Sequence, residues 1–433
     1  MKRAIVFGGG GTRGSYEMGA WTALREMGFE YDIVTGTSIG SVNGALMVQG
    51  DYERASALWD KITVDDIMVD GFNLEYSIEA MFNQKKDLMK FLKKYISSKG
   101  ADIAPFKKLL DEIIDESKIR DSKIDFGLIT VQFPSLKPVE IMKSDIPEGY
   151  MKQFILASAS CFPAFPMCKI DDDNYIDGGY YDALPIDLAV KMGAEEVTAI
   201  DLSYHTTHDA YLNRPYVTYI KPSRPIGSFL NFEKELLHQN RVLGYLDAKR
   251  AFGALAGYRY SFFKKDIPSP DIQNRFVSYI ARFEAFLPAK KPGLFKKAAD
   301  SLTMHLEEDT GRKELTNADY LIRGSEICAE FLEISPLQVY HIEEFRQLIF
   351  QKFNEIKKQH DESVFQNLHK ISDLSRLYEE IKQTDQKFLL STLYYYIANQ
   401  KDWMDDLNWF AVAVPKQLIA VFYLLAADPP EIK

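Results

Sequence analysis

The stretch Ala4-Ile5-Val6-Phe7-Gly8-Gly9-Gly10-Gly11-Thr12-Arg13-Gly14 decides the fold, together with Tyr31-Asp32-Ile33-Val34-Thr35-Gly36-Thr37-Ser38-Ile39-Gly40. Each reads as an apolar strand, a glycine turn and a helix. After the first turn, Met18, Trp21, Leu24 and Met27 recur at helical spacing, and Gly28 closes the stripe. After the second, Val42, Ala45 and Leu46 recur in the same way, and Gly50 stands where a helix-ending glycine belongs. Strands separated by helices predict an α/β fold with a parallel sheet covered on both faces. Both turns then fall at the carboxyl ends of their strands, where such folds place their sites.

Gly36-Thr37-Ser38-Ile39-Gly40 fits G-x-S-x-G, in which small residues two positions either side of a serine let strand and helix approach closely. Ser38 is the candidate nucleophile, presented at a helix N-terminus that favours developing negative charge. The first turn has three readings. A phosphate loop requires Lys and a hydroxyl after its last glycine, and Gly14 is followed by Ser15-Tyr16. A dinucleotide turn accommodates Gly9, Gly11 and Gly14 but needs an acidic residue ending the second strand, where this chain has Gly36-Thr37-Ser38. An oxyanion hole built from the N–H groups of Gly9, Gly10 and Gly11, with Arg13 beside them, meets no such objection.

A serine nucleophile needs a base. His205 and His208 follow the apolar run 197–202 but lie in the polar stretch Tyr204-His205-Thr206-Thr207-His208-Asp209, which reads as a solvated loop. His238, His305, His341, His360 and His369 sit in helical, charged surroundings. Asp177 is the better candidate. In Asn174-Tyr175-Ile176-Asp177-Gly178-Gly179-Tyr180 it ends a short apolar strand, and Gly178 and Gly179 permit another backbone to approach. The same Asp-Gly pair equally suits a type I′ hairpin turn, and on local sequence both readings stand.

The 433 residues carry a net charge of −10, which argues against nucleic-acid binding and against strong adsorption to anionic membranes. A hydrophobic content of 46% supplies ample core for two domains. Three cysteines do not describe a disulfide framework, and Cys161 and Cys168 read as thiols of a reducing compartment. No H-E-x-x-H or comparable ligand spacing occurs, so neither metal nor cofactor is expected. The strand begins at Ala4, which leaves no room for a signal peptide ahead of the glycines, and a cytoplasmic location is expected.

Residues 126–131, 138–142, 197–202 and 216–220 are strand-like, and residues 51–121 read as a mainly helical, polar insertion over the sheet. A boundary is expected at Phe263-Lys264-Lys265-Asp266-Ile267-Pro268-Ser269-Pro270, dividing the chain into 1–265 and 266–433. Beyond it Phe345, Leu348, Ile349, Phe353 and Ile356 mark an amphipathic helix in a mainly helical domain that carries no chemical motif. The apolar segments 409–414 and 418–427 are interrupted by Pro415-Lys416-Gln417, and neither approaches the ~20 residues that span a bilayer. A buried helix is expected there, with interfacial membrane contact as the sharper alternative. Lys290-Lys291-Pro292-Gly293-Leu294-Phe295-Lys296-Lys297 reads as a solvated linker or as a patch suited to anionic lipid.

Gly9-Gly10-Gly11-Thr12-Arg13-Gly14, Gly36-Thr37-Ser38-Ile39-Gly40 and Asp177-Gly178-Gly179 together resemble, in order and spacing, the patatin-like phospholipases, lipid acyl hydrolases that use a Ser–Asp dyad. Ala157-Ser158-Ala159-Ser160-Cys161-Phe162-Pro163 and Ala183-Leu184-Pro185-Ile186-Asp187 extend the likeness. Gly8 and Ile39 depart from common family residues without removing a reactive group. The resemblance implies a patatin-like, parallel-rich sheet covered by helices on both faces, followed by the helical C-terminal domain. It implies a serine acyl hydrolase for phospholipid or lysophospholipid esters, needing no cofactor, and peripheral membrane contact stays the alternative that the apolar and lysine-rich segments offer. Ser38 is then nucleophile and Asp177 base. Gly9, Gly10 and Gly11 hold the oxyanion near Arg13, and Gly14, Gly36, Gly40, Gly178 and Gly179 shape the turns. The rival expectation is a lipid-binding or regulatory protein whose dyad is vestigial.

Overall fold

A computed structural model describes residues 1–69, 101–205, 208–290, 301–308, 310, 314–358, 379–381, 383–399, 404 and 413–428. The chain divides into two compact units, Met1–Phe252 and Gly253–Lys433.

The first unit runs, in chain order, β1 Arg3–Phe7, α1 Gly14–Glu26, β2 Ile33–Thr37, α2 Ile39–Val48, α3 Tyr52–Lys61, α4 Ala104–Ile113, α5 Glu116–Asp121, β3 Asp125–Phe133, β4 Lys137–Met142, α6 Met151–Ser158, β5 Cys168–Ile170, β6 Asp173–Asp177, α7 Ile186–Lys191, β7 Glu196–Ile200, β8 Val217–Ile220 and α8 Lys234–Ala251. Its sheet has the order β5-β6-β3-β2-β1-β7-β8, with β4 also paired to β3. β3, β2, β1, β7 and β8 are parallel to their neighbours in that run, whereas β4, β5 and β6 pair antiparallel. The helices lie on both faces, as the two-residue side-chain period of the strands requires. Ala4, Val6 and Ile33 pack with Ile186 and Ala189 of α7. The alternate residues Phe7 and Val34 meet α2 at Gly44.

Register brings two distant turns together. Residues 127–129 of β3 pair with both β2 and β4, and residues 130–132 pair with both β4 and β6. β2 and β6 therefore lie end to end along one edge of β3, running in opposite directions. Thr37 closes β2 opposite Ile129, and Asp177 closes β6 opposite the next residue, Thr130. The residue after Thr37 is Ser38.

The two readings of Asp177-Gly178 are thereby separated. The chain does not fold back there as a hairpin but enters a short 3-10 turn at Gly178–Tyr180. The tight reversal between β5 and β6 falls earlier, where Asp171 has φ 51°.

The second unit contains β9 Leu255–Ala256, β10 Ser261–Phe263, α9 Pro270–Lys290, α10 Leu302–Glu307, α11 Asn317–Phe331, β11 Val339–Tyr340, α12 Ile342–Ile356, α13 Gln386–Asn399 and α14 Pro415–Ala427. The expected boundary at 265/266 differs from the division at 252/253. The reason is that Ser261–Phe263 pairs with β9 and β11 in a separate three-stranded sheet. Residues 418–427 are buried in this unit's own core, packed with Phe276 and Phe283. Among the described residues no helix is long and apolar enough to cross a membrane. The expectations for the Lys290–Lys297 patch beyond Lys290, for residues 409–412, for His360 and His369, and for 70–100 of the polar insertion lie outside the described residues.

Candidate active site

Ser38 sits between β2 and α2 with φ 56° and ψ −127°, a backbone region that non-glycine residues rarely occupy. The flanking glycines are required by close approach. A Cβ at Gly36 would lie 2.2 Å from the Gly40 carbonyl oxygen, and one at Gly40 would lie 2.5 Å from that of Phe7. No flexible side chain could yield to either. The tight packing of β1, β2 and α2 thus dictates glycine at both positions and drives the intervening serine outward.

The Ser38 hydroxyl donates a 2.7 Å hydrogen bond to Oδ2 of Asp177. The other carboxylate oxygen, Oδ1, accepts the Gly179 N–H at 2.7 Å. Gly178 lies between them and β3, where an added Cβ would be 2.2 Å from the Ile129 carbonyl oxygen. Asp177 is 2% exposed. Burial pushes its pKa from 3.8 up to about 6, while the hydrogen bonds from Ser38 and Gly179 oppose that rise. A carboxylate so placed can accept a proton from the hydroxyl it touches near neutral pH.

The glycine loop follows β1 on the adjacent strand. Here one expectation is corrected. The Gly9 N–H donates to the Ala183 carbonyl at 2.8 Å, so Gly9 is not a third free donor. It contributes by its lack of a side chain, since a Cβ would stand 3.2 Å from that of Ser38. Among the described residues the N–H groups of Gly10 and Gly11 meet no acceptor, and both glycines line the cavity over Ser38. Arg13 lines the same cavity, with its Nε donating to the Gly227 carbonyl at 2.7 Å. Gly14 is walled by Ile39 and Trp59, with the nearest atoms 2.7 and 2.8 Å from a notional Cβ.

The cavity measures about 400 Å³, within the range of small-ligand sites. Ser38, Asp177 and the glycines form its polar part. Its walls include Trp59, Ile62, Ile67, Phe106, Phe165 and Phe229, so most of its surface suits hydrocarbon. The histidines stand elsewhere. His205 is exposed and packs on the Tyr204 ring, and His208 Nε2 lies 3.2 Å from Asp182 Oδ1. The Ser38 hydroxyl is engaged by Asp177.

Two groups escaped the sequence reading. Ser158 Oγ accepts the Ser38 N–H at 3.0 Å, and the Ser160 carbonyl accepts the Asp177 N–H at 2.8 Å. Both lie in a segment noted for its likeness to a family, and nothing in its local pattern distinguishes a serine that bonds a distant backbone from one that packs. Behind the glycine loop, Glu17 is fully buried and receives a 2.7 Å hydrogen bond from Asn43 Nδ2. Asn43 Oδ1 accepts the Trp59 indole N–H at 3.0 Å.

Residues 5–190 match the family model described as patatin-like phospholipase. Patatin-like phospholipase domain-containing protein 7 of Rattus norvegicus is 31% identical over 204 residues, covering 46% of this chain and 13% of that protein. Patatin-like phospholipase domain-containing protein 6 of Homo sapiens is 28% identical over 205 residues, with the same two coverages. Lysophospholipase NTE1 of Scheffersomyces stipitis is 29% identical over 211 residues, covering 46% of this chain and 11% of its own length. The chain therefore spans about an eighth of the length of these relatives. Among solved structures, VipD from Legionella pneumophila is similar at a TM-score of 0.40 and 12% identity, over 82% of this chain and 86% of that one. Over residues 5–190 the chain is thus similar to the patatin-like phospholipases.

Proposed function

We propose that this protein hydrolyses lipid esters through a Ser38–Asp177 dyad. The observation that carries the reading is the 2.7 Å hydrogen bond from the Ser38 hydroxyl to a buried carboxylate, at the polar end of an apolar cavity. Asp177 takes the Ser38 proton as Oγ attacks the ester carbonyl. The tetrahedral oxyanion is held by the N–H groups of Gly10 and Gly11, with the fixed charge of Arg13 nearby. Collapse expels the alcohol, which receives the proton from Asp177, and leaves an acyl-serine. Asp177 then activates a water molecule to release the acid, in the two-step logic of covalent catalysis. The apolar walls support an acyl chain, and the lysophospholipase name of a relative supports a phospholipid or lysophospholipid ester.

The test is hydrolysis of a medium-chain p-nitrophenyl ester by wild type, Ser38→Ala and Asp177→Asn, with folding followed by circular dichroism. The proposal expects turnover only by wild type, with kcat/KM falling below about pH 6 as Asp177 becomes protonated. An Asp177→Asn variant as active as wild type would remove the carboxylate from the mechanism.

A further inference from the structure

The dyad is held by a third segment that supplies no reacting atom. Asp177 and Ser38 approach β3 from opposite ends, so neither strand fixes the other directly. Residues at the end of α6 bridge them. Ser158, the last residue of that helix, is fully buried, and its Oγ accepts the Ser38 N–H at 3.0 Å. Two residues on, the Ser160 carbonyl accepts the Asp177 N–H at 2.8 Å. That carbonyl also accepts the Phe162 N–H at 2.7 Å, and the Ser160 hydroxyl donates to the Leu156 carbonyl at 2.8 Å. The segment is thus anchored to its own helix while it grips both dyad backbones.

The grip on Ser38 is the one made by a side chain. Ser38 has a rare, positive-φ backbone, and such conformations persist only where surrounding contacts over-determine them. From the other side, the Ser38 carbonyl accepts the Ser41 N–H at 2.9 Å and the Ser41 hydroxyl at 2.6 Å. Ser158 supplies the matching restraint on the N–H.

Resting on the proposed dyad, we propose that Ser158 is a positioning residue for the reaction: its hydroxyl oxygen fixes the Ser38 backbone so that Oγ lies within hydrogen-bond reach of Asp177. Without that acceptor the Ser38 N–H is left unpaired, the turn relaxes, and the Ser38–Asp177 hydrogen bond lengthens. Substrate binding draws on the cavity walls, which Ser158 does not line, so the effect falls on kcat.

The experiment compares the full chain with Ser158→Ala and Ser158→Cys, measuring kcat, KM and the pH dependence of kcat/KM on a p-nitrophenyl ester. Ser158→Ala should lower kcat roughly ten- to hundredfold with KM little changed. Its acidic limb should move upward, because the Ser38 hydrogen bond is one of the contacts that restrain the Asp177 pKa. Ser158→Cys, with a weaker acceptor of similar shape, should fall between, and its limb carries the test if the alanine variant does not fold. A general loss of structure would lower activity without moving the limb. Wild-type kcat and an unmoved limb in folded Ser158→Ala, beside an active wild type and a dead Asp177→Asn, would overturn the positioning role alone. A wild type that neither hydrolyses the ester nor reacts with a fluorophosphonate would overturn the dyad and this role together.

Discussion

Asp177→Asn should stabilise the first unit above pH 6 even as it removes the base. Asp177 has an ordinary pKa of 3.8 and is held at about 6 in the fold by burial. Its folded value lies above its unfolded value. The stability it contributes is therefore complete below pH 3.8 and is lost as pH rises through about 6. That difference corresponds to on the order of 3 kcal/mol once the group is fully ionised, with about half already lost at pH 5. Asparagine fits the same contacts. Its carbonyl can accept the Gly179 N–H, and its amide can donate to the Ser38 hydroxyl, which then turns to accept. For a unit of this size, 1 kcal/mol shifts Tm by roughly 2–4 °C. Calorimetric melts of wild type and Asp177→Asn from pH 4 to pH 8 should show the variant melting higher by roughly 6–12 °C at pH 8. The gap should narrow through pH 6 to 5 and nearly vanish at pH 4. A constant gap across that range, or a variant less stable at pH 8, would refute the claim that burial holds this carboxyl up.

Three further outcomes follow from the same packing. Gly40→Ala should cost more than about 3 kcal/mol, seen as a large fall in Tm, because its methyl group would meet backbone oxygens of Phe7 and Gly8 at 2.5 and 2.6 Å. Burial holds the Glu17 carboxyl well above the usual carboxylate range, so Glu17→Gln should stay within about 1 kcal/mol of wild type at pH 7. Glu17→Ala, which takes the acceptor from Asn43, should lose roughly 1–3 kcal/mol in the same melts. Phe229→Ala, which thins the cavity wall at a half-buried position, should raise KM for a long-chain ester roughly three- to tenfold more than for a butyrate ester in steady-state assays.

The parts legible in the sequence were those that local geometry dictates. Residues 4–14 and 31–40 each encode strand, turn and helix within a dozen residues, and the close approaches at Gly36 and Gly40 leave glycine as the residue that fits. Asp177 was readable only as far as its neighbours allowed, because an Asp-Gly hairpin and an Asp-Gly site turn share the same local chemistry. What separates them is register, the pairing of Thr37 with Ile129 and of Asp177 with Thr130, which through β3 brings together Ser38 and Asp177, 139 residues apart. Distance along the chain likewise hid the engagement of the Gly9 N–H by Ala183 and of the Ser38 N–H by Ser158. The boundary expected at Phe263–Pro270 falls late because nothing local reveals that Ser261–Phe263 forms a strand whose partners are Leu255–Ala256 and Val339–Tyr340.

The most direct test of the central claim is covalent. The full chain would be treated with a fluorophosphonate at pH 7.5, digested, and the adduct located by mass spectrometry. An activated hydroxyl paired with a carboxylate should give one adduct per chain, on the peptide containing Ser38. Labelling should be absent in Ser38→Ala and slowed at least about hundredfold in folded Asp177→Asn. Failure of Ser38 to label, or labelling at the wild-type rate without the Asp177 carboxylate, would contradict the account.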